Sequence, residues 1–245
     1  MDASQTLRAA VDRSITPSEA ALSLTAPITA VLSDSEATEN GLWETWLAFL
    51  NFAARTGHEQ QGPLVEVVDH IKQLRGANGE AVEFEFWGQP TTWGELPSLG
   101  PLMREQYDVE YDAEGNGFVN LNAFAARLTA AHVFDLSLYG IWTLREALEE
   151  QEPDGAFAQT SSKAIASASM WFLYAGKTMR ELSRKGEAFE GRVAIPGKTV
   201  ADKDWKGFNE ERWALWAERF KKLYGMGVKD EVKDVVQRAV VEIEK

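Results

Sequence analysis

The feature that most constrains this chain is the segment Ala164–Gly176, which reads AIASASMWFLYAG and carries no charged side chain. A helix built from it is apolar all round, whereas a surface helix shows one apolar stripe and one polar face. Its alanines keep the backbone slim enough for close packing. It is also too short to span a bilayer, which needs about 20 mostly apolar residues. The segment therefore predicts a buried central helix over about residues 162–184.

Helical periodicity also marks the first part of the chain. Thr16 is followed by Pro17 and Glu19, which is the pattern of a capping box with proline at the first helical position. A helix over about residues 41–55 follows Asn40, and another begins at Pro63 and runs to about residue 75. Because a short polar loop joins these two helices, we expect them to form an antiparallel hairpin.

The segment from residue 78 to residue 99 is predicted to be an irregular, aromatic-rich connector. Apolar and acidic residues alternate over residues 82–86, as they do in a short strand. Trp87 and Trp93 follow. A connector of this length is often functional, and the alternative is a strap that packs two indole rings over the core.

The second half of the chain is predicted to be helical apart from a turn at Pro153-Asp154-Gly155 and one long loop over about residues 185–204. Residues 120–150 keep a helical period, with a break expected near His132 or Gly140. Asn209 is positioned to cap a further helix, and residues 230–244 form an amphipathic one. We therefore expect an all-α fold in which residues 1–245 make one bundle-like domain around the central helix.

Composition excludes several functions. The formal net charge is −13 at pH 7, whereas nucleic acids and anionic membranes attract clustered Lys and Arg. We therefore expect neither nucleic acid nor a membrane as a partner. The charge is uneven, because residues 1–100 carry 5 basic and 14 acidic side chains and residues 176–245 carry 16 basic and 13 acidic ones.

Cofactors and metals are not expected. The chain has no cysteine, which removes disulfides, thiolate metal sites and iron–sulfur clusters. The three histidines do not pair at the spacing that puts two metal ligands on one helical face, and the glycine-rich motifs of nucleotide sites are missing. The first residues do not resemble a signal peptide, so a cytoplasmic location is the expectation.

Several blocks of the sequence match a known pattern: the Trp43/Trp46 helix, the segment Leu121–Leu128, the segment Tyr139–Glu146, and Trp171-Phe172-x-Tyr174-Ala175-Gly176. Over about residues 40–180 they resemble a family of filamentous-fungal proteins of unknown function. The resemblance implies an intracellular helical protein, in some cases associated with specialised metabolism. It carries no catalytic residues over to this chain.

The leading hypothesis is a protein that binds a mostly apolar small molecule between its helices, where bundle proteins commonly hold ligands. The chain has nine tryptophans, and we expect some of them to line this pocket. The candidate substrate-binding residues are Trp43, Trp46, Trp87, Trp93, Trp142, Trp171 and Tyr174. The alternative is that these side chains only fill the core.

If the protein is an enzyme, we expect a cyclase or isomerase that needs no cofactor and works through shape and hydrogen bonding. The candidate catalytic residues are Arg104, Tyr107, Arg127 and His132. For the arginines the alternative is a structural ion pair. The rival class is an interaction protein or homo-oligomer that uses Trp213, Trp216, Phe220 or the valine face of the last helix.

Overall fold

The structure is a computed structural model that describes residues 2–151 and 160–245. Within that part the fold is all-α, as predicted, with ten α-helices and one small hairpin. The helices are α1 (Ala3–Val11), α2 (Pro17–Thr29), α3 (Ser35–Arg55), α4 (Gly62–Lys72), α5 (Leu99–Asp112), α6 (Gly117–Ala130), α7 (Ser137–Leu148), α8 (Ser162–Lys185), α9 (Glu210–Met226) and α10 (Asp230–Ile243). The hairpin strands are β1 (Glu83–Phe86) and β2 (Gln89–Thr92).

The chain groups into two compact units, Met1–Phe124 and Ala125–Lys245. The boundary falls inside α6. A single domain over residues 1–245 stays a prediction.

In the first unit, α2 begins with the predicted capping box. The hydroxyl of Thr16 accepts a hydrogen bond from the backbone N–H of Glu19 at 3.2 Å, and the Glu19 carboxylate accepts one from the Thr16 N–H at 2.7 Å. The backbone and side-chain hydrogen bonds from Thr16 hold the pKa of Glu19 below its ordinary value. Pro27 lies inside α2, which ends two residues later.

Helix α3 begins earlier than the sequence pattern predicted, because Asp34 and not Asn40 caps it. The Asp34 carboxylate accepts a hydrogen bond from the Ala37 N–H at 3.1 Å. Gly41 therefore lies inside the helix, where glycine is normally unfavourable. A Cβ atom there would lie 3.0 Å from Cγ1 of Ile28, so the glycine allows α3 to approach α2 closely.

The predicted α3–α4 hairpin is not formed, because α4 packs chiefly against α2. The connection between α3 and α4 contains a 3₁₀ turn, His58–Gln60. The buried side chain of Gln61, the next residue, holds the chain in place before α4. The Gln61 side-chain amide donates to the carbonyls of Ala53, Thr56 and Asn120 at 2.8–3.1 Å. This one side chain thus satisfies carbonyls at the end of α3 and in α6.

The predicted strand over residues 82–86 is present as β1, which pairs antiparallel with β2. Trp87 and Gly88 form the turn between them, with φ angles of 52° and 70°. A two-residue hairpin turn of this kind needs positive φ at both positions, and a bulky residue adopts it only at a cost. Trp87 is 58% exposed, and its ring stacks on Phe86 at a centroid distance of 4.5 Å.

In the second unit, α8 confirms the predicted central helix and its bounds to within one residue. Every residue from Ala164 to Phe172 is buried, and α7, α9 and α10 pack against α8. From Leu173 onward one face of the helix is only partly covered. The break predicted near His132 or Gly140 occurs at His132, which has a positive φ of 56°. The turn predicted at Pro153-Asp154-Gly155 lies outside the described residues.

Gly140 provides the space for the largest side chain at the centre of this unit. The Trp171 ring is fully buried. A Cβ atom on Gly140 would lie 2.9 Å from Cε3 of that ring, closer than carbon atoms pack. Gly140 therefore lets α7 lie directly on the indole of α8.

We expect Gly140→Ala to lower the free energy of unfolding by up to about 2 kcal/mol, because crowding Trp171 costs about 1–3 kcal/mol and the better helix propensity of Ala returns about 1 kcal/mol. Urea denaturation followed by circular dichroism measures the change. Gly176→Ala in α8 is the matched control, because a Cβ there meets no atom within 4 Å. It should stabilise the protein by up to about 1 kcal/mol. Equal effects of the two changes would contradict the close packing at Gly140.

Candidate functional site

The candidate site is a cleft of about 430 Å³ in the second unit, bounded by α8, α9 and the end of α10. Its volume lies in the range of small-molecule sites. The lining residues are Phe172, Leu173, Tyr174, Gly176, Lys177, Arg180, Glu181, Arg184, Trp213, Glu242, Ile243 and Lys245.

The floor of the cleft is aromatic and apolar. The ring of Phe172 is buried and meets the ring of Trp213 edge-on at a centroid distance of 5.8 Å. The Phe172 ring also packs against the Phe220 ring, with a centroid distance of 4.8 Å. Leu173 and Ile243 add aliphatic surface. A floor of this kind binds apolar groups by removing their surface from water.

Tyr174 forms another part of the lining, and a cation holds its ring. The guanidinium carbon of Arg127 lies 3.7 Å from the ring centroid. Cation–π contacts at this distance are favourable, more so where water is excluded. The tyrosine side chain is thereby fixed on α8 at the edge of the cleft.

Gly176 keeps the middle of the cleft open. It lies inside α8, where glycine is less favourable than alanine by about 1 kcal/mol, and a Cβ atom there would meet nothing within 4 Å. No close helix approach explains this glycine, in contrast to Gly41 and Gly140. Its consequence is open space in the lining of the cleft.

The rim of the cleft is mainly basic. Lys177, Arg180 and Arg184 project from successive turns of α8, and Arg180 is half-buried. Glu181 also lines the rim. The Lys245 ammonium pairs with Glu242 at 2.7 Å. The site thus combines an apolar floor with a rim on which positive charges outnumber negative ones.

A buried ion pair places α9 and therefore Trp213. Arg212 and Glu149 are both fully buried, and Nε of Arg212 donates to Oε1 of Glu149 at 2.7 Å. The other guanidinium N–H groups donate to Glu149 and to the carbonyls of Ala194, Ile195 and Gly207. The arginine fork thus joins α9 to the end of α7 and to the loop before α9.

Glu149 receives further donors, so that its buried charge is well satisfied. The indole N–H of Trp216 donates to Oε1 at 2.6 Å, and the backbone N–H of Gly197 donates to Oε2 at 2.7 Å. A Cβ on Gly197 would lie 2.6 Å from Cβ of Glu149, so only glycine fits there. A carboxylate held in this way is a structural anchor and is closed to substrate.

The first turn of α9 is tied to the same loop. The Asn209 side chain accepts from the Arg212 N–H at 2.8 Å, as its predicted capping role requires. Lys203 and the indole N–H of Trp205 donate to the Glu211 carboxylate. The hydrogen bond from Lys203, followed by that from Trp205, holds the pKa of Glu211 below its ordinary value.

Among the predicted substrate-binding residues, Tyr174 lines the cleft. Trp171 lies beside it in α8 but is wholly buried under Gly140. Trp142 is half-buried, and its indole N–H donates to the Val193 carbonyl at 2.7 Å. Trp171 and Trp142 therefore serve the packing of this unit.

The four remaining tryptophans of that set belong to the first unit. Trp46 and Trp93 are buried and contact Phe49 and Phe84, with ring centroids 5.7 and 5.2 Å apart. Trp43 is half-buried, and Trp87 lies on the exposed hairpin turn.

The predicted catalytic residues do not line the cleft. Arg104 is exposed and pairs with Asp108 at 3.1 Å, while Tyr107 is buried with its ring 4.7 Å from that of Phe118. His132 is exposed after the end of α6. Arg127 contacts Tyr174, which does line the cleft.

Sequence reasoning missed most of the lining. The signal that could have found it is the spacing of Leu173, Lys177, Arg180 and Arg184 at i, i+4, i+7 and i+11, which puts an apolar residue and three cations on one face of α8. Trp213 was noted only as part of an interaction surface.

In the part of the chain that the structure describes, no group of three His, Asp or Glu side chains is arranged to hold a metal ion. Over that same part, no helix has both the length and the apolar character that crossing a bilayer demands.

Fold and cleft together define the class: an all-helical protein with an inter-helix cleft. The chain belongs to the family described as proteins of unknown function (DUF3632), whose model matches residues 46–220. No curated protein and no solved structure matches it. Membership in an uncharacterised family is thereby confirmed, while the fungal source and the link to specialised metabolism stay expectations.

Removing the buried anchor should destabilise the protein strongly. Glu149→Ala leaves the fully buried Arg212 without its counter-charge, which costs about 3–5 kcal/mol of unfolding free energy. Urea denaturation gives the value. Glu150→Ala is the matched control, because its partner Lys198 is largely exposed and such surface pairs contribute about 0–1 kcal/mol. Similar losses in both variants would contradict the anchoring role of Glu149.

Proposed function

We propose that the protein binds a small, largely apolar molecule in the cleft between α8, α9 and α10. The observation that carries this proposal is the cleft itself, whose volume of about 430 Å³ and aromatic floor suit a small ligand. Ligand sites typically combine apolar walls with a few polar groups that fix orientation, and this cleft has both.

Gly176 supports the proposal independently. Alanine at this position would favour the helix and would meet no neighbouring atom. The glycine therefore brings no packing advantage within the described structure, and what it provides is space. An open cleft is the feature that would be lost if a larger side chain stood there.

The alternative of an interaction protein has less support. Trp216 and Phe220 are fully buried, and Val236 and Ala239 of α10 are buried as well. α10 packs extensively against α8. Most of the apolar surface predicted to bind a partner or a second copy is therefore buried within the unit, whereas Trp213 is half-buried and lines the cleft. A homo-oligomer stays a prediction.

A cyclase or isomerase activity also stays a prediction. None of the four candidate catalytic residues lines the cleft, and Arg127 contacts Tyr174 of its lining. Proton transfer needs a group within hydrogen-bond reach of the reacting atom. A binding protein is therefore the function that this geometry supports best.

Titration with the neutral fluorophore N-phenyl-1-naphthylamine tests the proposal, because its emission rises in apolar surroundings. We expect saturable binding at one site. Trp213→Ala should weaken it by roughly tenfold or more, because it removes an aromatic wall. Gly176→Leu should abolish it by filling the cleft while the protein remains folded.

Two matched controls accompany these variants. Gly225→Leu places the same side chain on a helix glycine that is exposed and lies outside the cleft. Tyr111→Ala truncates an exposed aromatic residue of the first unit. Both should bind the fluorophore as the unaltered protein does. Non-saturable binding, or binding that survives Gly176→Leu, would overturn the proposal.

A further inference from the structure

We propose that the molecule bound in the cleft is a small organic acid with an apolar body, and that Arg180 and Arg184 hold its acidic group. The inference rests on the proposed function and adds the chemical class of the ligand. Three observations on the rim of the cleft carry it.

The first observation is the shared face of the cations. Lys177, Arg180 and Arg184 lie at i, i+3 and i+7 of α8, so they stand one above another on the side that faces the cleft. Leu173 precedes them on the same face and belongs to the apolar floor. A ligand lying along α8 would therefore contact apolar surface at one end and cations at the other.

The second observation is that these cations have no ion-pair partner among the residues that the structure describes. The chain has 38 acidic and 25 basic residues, so carboxylates are plentiful. Elsewhere, Arg104 and Arg238 each pair with an aspartate one turn away. Across residues 2–151 and 160–245, however, no carboxylate lies within ion-pair distance of Lys177, Arg180 or Arg184.

Like charges four residues apart on a helix repel each other, and Arg180 and Arg184 have this spacing. Arg180 is also half-buried, so water screens its charge less than that of a fully exposed residue. The repulsion between the guanidinium groups of Arg180 and Arg184 is unfavourable by itself. An anion that binds between the two groups offsets this repulsion. Guanidinium forms paired, charge-assisted hydrogen bonds with carboxylates.

The third observation is the charge of the rim as a whole. Lys245 and Glu242 pair with each other, and Glu181 offsets one of the remaining cations. A surplus of two positive charges is left around an apolar floor. This surplus stands in a chain whose net charge is −13, and it favours an anionic ligand over a neutral or cationic one.

Two fluorophores with the same body test the inference. N-Phenyl-1-naphthylamine is neutral, and 8-anilino-1-naphthalenesulfonate adds one sulfonate to the same ring system. At low ionic strength the anionic probe should bind about tenfold more tightly, as expected for one charge-assisted interaction. Added salt should reduce this advantage, because it screens the charges on the rim.

Arg180→Gln and Arg184→Gln should each reduce the advantage several-fold and leave the affinity for the neutral probe nearly unchanged. Lys185→Gln is the matched control, because it removes the same charge from an exposed residue of α8 outside the cleft. It should leave the advantage intact. Displacement of the neutral probe by decanoate and by decanol gives a second measurement, in which decanoate should be the stronger competitor.

The outcomes separate this inference from the proposed function. Saturable binding of the neutral probe with no advantage for the sulfonate or for decanoate would overturn the organic acid and leave the cleft as a binding site. An advantage that persists in both arginine variants would overturn the role of Arg180 and Arg184. Failure of both probes to bind saturably would overturn the site itself.

Discussion

Burial of the charge-free segment of α8 is the constraint on which the second unit depends. Because α8 is apolar on all sides over Ala164–Phe172, the unit must cover it completely there, and α7, α9 and α10 provide the cover. Gly140 lets one of these helices reach the Trp171 ring. The lining of the cleft begins at Phe172, the last residue of the fully covered stretch, and continues from Leu173 onward, where the covering becomes incomplete. One helix thus provides both the core of the unit and, a turn later, the lining of its candidate site.

The position of α9 depends on a polar interaction, the buried ion pair between Arg212 and Glu149. Arg212 points inward to Glu149, and Trp213, the next residue along the helix, points to Phe172 and the cleft. Successive helix residues are rotated by about 100°, so anchoring the first fixes the direction of the second. The ion pair therefore contributes to the site without touching a ligand. It acts by holding in place the wall against which a ligand would lie.

The sequence predicted those structural features that depend only on residues close together in the chain. The absence of charge between Lys163 and Lys177 located α8, and local capping by Thr16 and Asn209 located two helix starts. It could not predict packing partners, as α4 shows by pairing with α2. Lys177, Arg180 and Arg184 resemble an ordinary solvated face, since periodicity does not say which neighbour leaves a face uncovered. Glu149 lies in an acidic run, and its burial depends on an arginine 63 residues away.

The orientation of the Arg212–Glu149 ion pair, with the arginine on α9 and the glutamate at the end of α7, restricts which substitutions related chains can carry. An inverted pair, with arginine at position 149 and glutamate at position 212, would aim the indole N–H of Trp216 and the amide N–H of Gly197 at a cation. It would also turn a carboxylate toward the carbonyls of Ala194 and Gly207. Donors would face donors, and acceptors would face acceptors. Related chains can therefore keep the pair or replace both residues together, but exchanging the arginine and the glutamate does not fit this site.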